Sequence, residues 1–130
     1  MEKIVILVYP PPGGAPEPRA YEGKFLQLVL RDTEYLVFAP RVLHRFHNQI
    51  LAGFLAERDI TSRWIGEQTL EVNAPDLAVI GGGRFRVNND TGTLELWDNS
   101  QAYGRFEERG LPGKIAAAGH RWGRYRVKID

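Results

Sequence analysis

Two stretches and one histidine carry the residue types from which an anion site could be built. Gly81-Gly82-Gly83-Arg84 joins a backbone that a ligand can approach closely to a planar, permanently charged fork matched to phosphate oxygens. Ser100-Gln101-Ala102-Tyr103-Gly104 has the small residues of a loop able to present backbone N–H groups, with the Ser100 hydroxyl as a further donor. The same residues also suit a strand bend and a plain turn. The glycine run lacks the Gly-Lys-Ser/Thr ending of a P-loop, and no nucleophile elbow surrounds Ser100. His47 reads as a general base or nucleophile, or as a hydrogen-bonded core histidine. His44 and His47 stand three residues apart without the carboxylate of an HExxH arrangement, so no metal is expected.

The elements that must position these groups are short. Arg84–Val87 and Thr93–Trp97 alternate about Asn88-Asn89-Asp90-Thr91-Gly92, a hairpin that folds Arg84 back toward Ser100. Ile4–Tyr9 is a continuous apolar run, the pattern of a central or well-packed strand covered on both faces. Prolines and glycines from Pro10 to Pro18 form a loop. Gly23–Arg31 and Tyr35–Ala39 make a second hairpin about Asp32-Thr33-Glu34. From about Arg41 the positions Leu43, Phe46, Ile50, Leu51, Phe54 and Leu55 recur at helical spacing up to Arg58, with His47 near the middle of the apolar stripe and therefore inward. Asp59–Pro75 shows no sustained period and reads as a loop with one short strand. A strand at Asp76–Ile80 runs into the glycines. A helix follows at Leu111–Ala118, and a last strand at Arg124–Ile129. His120, beside Arg121 and a turn, reads as a surface residue. The fold class that results is α/β of the α+β kind: a single, mixed, mostly antiparallel sheet of about six strands flanked by two α-helices.

Composition narrows the rest. At 130 residues with 43% hydrophobic and 25% charged, the chain fits one domain with one core, spanning residues 1–130. Seventeen basic against sixteen acidic residues give a net charge of +1, which argues against nucleic acid as a partner, although Lys114, Arg121, Arg124, Arg126 and Lys128 crowd the C-terminal end. There is no cysteine, so thiolate chemistry and cysteine metal sites are excluded. The apolar start is too short for a membrane segment, and a cytoplasmic protein is expected.

The order LVFAP, then Phe46-His47 at a helix start, then IGGGRF, then SQAYG resembles the Janus/ocnus family of protein histidine phosphatases, over most of the chain. The separation of Arg84 from Ser100 matches the family pattern without a gap. The resemblance implies a mixed sheet with two helices and a metal- and cofactor-independent phosphatase acting on phosphohistidine in proteins, expected to be a monomer. It assigns His47 as the catalytic residue and Lys24, Arg84, Ser100 and the Ala102 N–H as phosphate holders. The family's arginine before the helix falls on Ala39, so either Arg41 substitutes for it from two residues on or that contact is missing.

Overall fold

A computed structural model describes residues 4–66 and 69–130. Among these residues eight strands and two α-helices follow in the order β1 (Ile4–Val8), β2 (Ala20–Leu30), β3 (Thr33–Pro40), α1 (His47–Ala56), β4 (Ser62–Ile65), β5 (Thr69–Val72), β6 (Leu77–Asn88), β7 (Thr93–Trp97), α2 (Leu111–Ala117) and β8 (Arg126–Ile129). Six strands form one mixed sheet in the order β1-β3-β2-β6-β7-β8, and β4 with β5 makes a separate hairpin. The two outer pairs are parallel and the three inner pairs antiparallel. No helix among the described residues is long and apolar enough to cross a membrane.

The tight turns follow from residue chemistry. Arg31 and Asp32 both take positive φ, the geometry of a two-residue hairpin turn whose twist matches its strands. Asn88 Oδ1 accepts from the N–H groups of Asp90 and Thr91 and so shapes the β6–β7 reversal before Gly92 at φ 68°. That turn sets Asn88 opposite Thr93, and the pleat then places Arg84 opposite Trp97.

Alternation divides the core between the two faces of the sheet. Phe25, Phe38, Phe85, Leu96 and Trp122 pack with Leu111 and Ile115 of α2 on one face. Leu26, Leu28, Val37 and Ala39 pack with Ile50, Leu51, Phe54 and Leu55 of α1 on the other. Each fully buried large apolar side chain contributes about 1.5–3 kcal/mol. The indole N–H of Trp122 is buried without a partner among the described residues, a cost of about 1–3 kcal/mol that its ring contacts with Phe38 and Phe85 offset.

Three expectations need correction. β1 is an edge strand and is not covered on both faces: Ile4 and Ile6 are buried on the α2 side, while on the other face Val5 is 37% exposed and Leu7 half-buried. α1 begins at His47 rather than Arg41. Pro40 lies in β3, its carbonyl accepts from the N–H groups of Leu43 and His44, and the Gln49 side chain caps the helix by accepting from the Arg45 and Phe46 N–H groups. Within Asp59–Pro75 two four-residue strands pair with each other, where one short strand was expected. Residues 67 and 68 of that stretch lie outside the described residues.

Candidate functional site

The site grows from one row across the sheet. Lys24 on β2 pairs with Ala39 on β3 and with Arg84 on β6, and Arg84 pairs with Trp97 on β7. This puts Ala39, Lys24, Arg84 and Trp97 side by side on the α1 face. The turn between β3 and α1 rises beside the row, with the Arg41 N–H donating to the Glu22 carbonyl at 3.1 Å. Between turn and sheet lies a cavity of about 230 Å3 lined by Lys24, Arg41, Arg45, Arg84, Phe46 and Trp97, together with Glu22, Gly23 and His44.

The cavity is strongly cationic. Arg84 Nε bonds the Asp98 carboxylate at 3.1 Å, and the one carboxylate of the lining, Glu22, is held by Arg86 at 3.0 Å. Lys24, Arg41 and Arg45 have no carboxylate within salt-bridge distance among the described residues. The Lys24 ammonium sits 5.4 Å from the centre of the Phe46 ring. Partial burial and the neighbouring Arg84 and Arg41 charges draw Lys24 below its ordinary 10.5, with Asp98 opposing. Phe46 was expected on the apolar face of the helix. It is instead the residue before the first turn, 56% exposed at the cavity.

His47 opens α1 and turns its ring inward onto the glycine triplet. It is 5% exposed, and its Nε2–H donates to the Gly83 carbonyl at 2.9 Å, which leaves the lone pair on Nδ1. Burial lowers its pKa below the ordinary 6.5 and nearby Lys24 lowers it further, while the Gly83 and Phe25 carbonyls and Asp98 oppose. The balance favours the uncharged form of the ring. The pairing of the helix with the sheet at this point explains the second glycine: a Cβ on Gly82 would stand 2.6 Å from His47 Cδ2 and from the Phe25 carbonyl oxygen. Gly81 would clash with the Arg105 backbone, and Gly83 with the Trp97 carbonyl. The triplet thus admits the protein's own ring and backbone.

Ser100 and Ala102 lie on a neighbouring turn and do not line the cavity. Ser100 is 3% exposed, its Oγ accepts from the Tyr103 N–H, and its backbone exchanges two hydrogen bonds with Gly104. The Gly104 carbonyl accepts from Gly82, which docks the turn beside the His47 contact. Ala102 is exposed, and its N–H has no partner among the described residues.

The structure therefore gathers Lys24, Arg41 and Arg84 at one cavity, holds His47 against the triplet next to them, and keeps Ser100 and Ala102 one turn away. Sequence reasoning missed Arg45, Trp97 and Asp98 as part of this site. Trp97 was accessible from the hairpin register, since Asn88 opposite Thr93 fixes Arg84 opposite Trp97. His44 lines the cavity from the turn and not from a helix, so the helical spacing that would pair it with His47 on a metal does not apply. No group of three or more metal-ligating side chains occurs among the described residues. His120 is half-buried rather than a plain surface residue, since its Nδ1 accepts from the Trp122 N–H. No known family model and no curated protein matches the chain.

Proposed function

We propose that the chain is a metal-independent phosphoamidase of the Janus/ocnus kind, removing the phosphoryl group from phosphohistidine, or from other N-phosphorylated residues, in proteins. The observation that carries this reading is the convergence of Lys24, Arg41 and Arg84 on one cavity, with His47, which does not itself line it, held against the Gly83 carbonyl next to Arg84. Lys24 and Arg84 hold the phosphoryl oxygens and neutralise charge as the P–N bond stretches, and Arg41 adds to the positive potential of the cavity. Water adds to phosphorus, the P–N bond breaks, and the departing imidazole nitrogen takes a proton. The Nδ1 lone pair of His47 either accepts the proton of that water or attacks phosphorus itself, with hydrolysis of the phospho-His47 following. Ser100 and Ala102, one turn away, do not line the cavity, and the reading rests on Lys24, Arg84 and His47 without them. The chain would act as a cytoplasmic monomer without a cofactor.

The test is release of phosphate from a phosphohistidine peptide in the presence of a chelator. His47→Ala is expected to lower turnover by about 100-fold or more, and unchanged turnover in that variant would reject the mechanism. Loss of wild-type turnover in chelator would reject metal independence.

The 5% exposure of His47 and its bond to the Gly83 carbonyl favour a second reading, a module that binds a phosphorylated partner without turning it over. There Arg84→Ala abolishes binding of a phosphohistidine peptide and His47→Ala leaves it intact. Turnover dependent on His47 would exclude this alternative.

A further inference from the structure

The turn before α1 adds two cations to the two that the sheet supplies to the cavity. Lys24 and Arg84 stand side by side on β2 and β6, Arg84 bonded to Asp98 as well. Arg41 and Arg45 remain, both exposed, both on the cavity lining and both without a carboxylate within salt-bridge distance among the described residues. Their backbones are fixed: the Arg41 N–H is tied to Glu22 and the Arg45 N–H to the Gln49 side chain at 2.9 Å. The exposed Phe46 ring completes the same turn.

Most other cations among the described residues have partners. Arg31, Arg58, Arg63, Arg86, Arg105, Arg109, Lys114 and Arg121 each pair with an Asp or Glu. Arg19, Arg124, Arg126 and Lys128 do not, but none of them lines the cavity, and the last two belong to β8 at the edge of the sheet, where charge guards against pairing with another chain. Arg41 and Arg45 have no such structural use. They stand at the mouth of a concave site, and a net charge of +1 argues against a nucleic acid strand as what they meet.

We infer that Arg41 and Arg45 form a docking subsite for an acidic segment of the polypeptide that carries the phosphorylated residue. The inference rests on the phosphoryl-binding reading of the cavity. It makes Arg45 a specificity determinant, steering and orienting the partner through charge while Lys24 and Arg84 hold the phosphoryl group.

Two phosphohistidine peptides alike except for Glu or Gln at the positions flanking the phosphohistidine provide the test. Both kcat/KM and Kd are measured at low and at high salt. The wild type is expected to prefer the Glu peptide by about tenfold at low salt, with the preference shrinking as salt screens it. Arg45→Glu is expected to abolish or reverse the preference while its thermal unfolding stays that of the wild type, and Arg45→Gln to give an intermediate result. Equal treatment of the two peptides by the wild type, or a preference that survives Arg45→Glu, would overturn the inference. Absence of turnover on both peptides rejects the phosphatase reading alone, because the ratio of the two Kd values still decides whether the subsite exists. Tighter binding of a single-stranded oligonucleotide than of the Glu peptide at equal salt would overturn the assignment to a polypeptide.

Discussion

Lys24 and Gln27 lie on the same strand, and their surroundings are opposites. Gln27 is 1% exposed, and its amide donates to Glu34 at 2.8 Å and accepts from the Glu107 N–H at 2.7 Å. The second oxygen of Glu34 accepts from Lys114 at 2.8 Å. Four polar residues thereby tie β2, β3, α2 and the segment before it, with each group answered by another. Lys24 has Arg84 and Arg41 for neighbours, and the Asp98 carboxylate near it is engaged by Arg84. A polar cluster that serves the fold is satisfied within the fold. One whose like charges face each other across a cavity costs stability that a bound anion would offset, which is what supports reading this cavity as a binding site.

The sharpest way to break this comparison is to disturb what joins site and scaffold. Gly82→Ala forces a methyl into His47 and the Phe25 carbonyl, and is expected to cost about 3 kcal/mol, read as a lower urea midpoint. A variant as stable as the wild type would mean that the ring does not pack there. Next comes the satisfied cluster: Gln27→Ala strands Glu34 and the Glu107 N–H, and a loss of about 2 kcal/mol is expected. If the loss were negligible, the network would not be holding the fold.

Acid sharpens the comparison further. His44, His47 and His120 all have pKa values lowered from the ordinary 6.5, in each case first by burial. The unfolded chain then binds protons that the folded one refuses, so stability is full above pH 6.5 and is lost as pH falls below it toward the folded-state pKa values. Melting temperatures from pH 8 to pH 5 check this, and His47→Gln should flatten the slope. A melting temperature that rises on acidification would contradict the assigned burial. The smallest effect is also the most telling. Lys24→Ala removes a cation repelled by its neighbours, so stability is expected to stay within about 0.5 kcal/mol of the wild type, shifted upward if at all, while phosphohistidine affinity falls. Clear destabilisation would put Lys24 with Gln27 as a structural residue.

Much of the fold was legible in the sequence because it rests on local chemistry. The Asn88–Gly92 turn and the alternation on either side of it announce the β6–β7 hairpin, and Gly119 with Pro112 brackets α2. The start of α1 was not legible, because Leu43 and Phe46 continue a helical spacing that Pro40 and the Gln49 cap interrupt. Only one short strand was legible where β4 and β5 pair, since each is four residues long and the two apolar residues that β5 packs against the α1-side core, Leu70 and Val72, are too few to set a period. At the site, Arg84 and inward-facing His47 could be read from type and period. The glycine triplet could not, because the ring and carbonyls that crowd it come from distant parts of the chain.

The measurement that bears most directly on the cavity is a crystal structure with phosphate bound. The account predicts an anion bonded to Lys24 and to the Arg84 guanidinium, close to His47. Phosphate found elsewhere, or a cavity still vacant with His47 walled off from it, would contradict it.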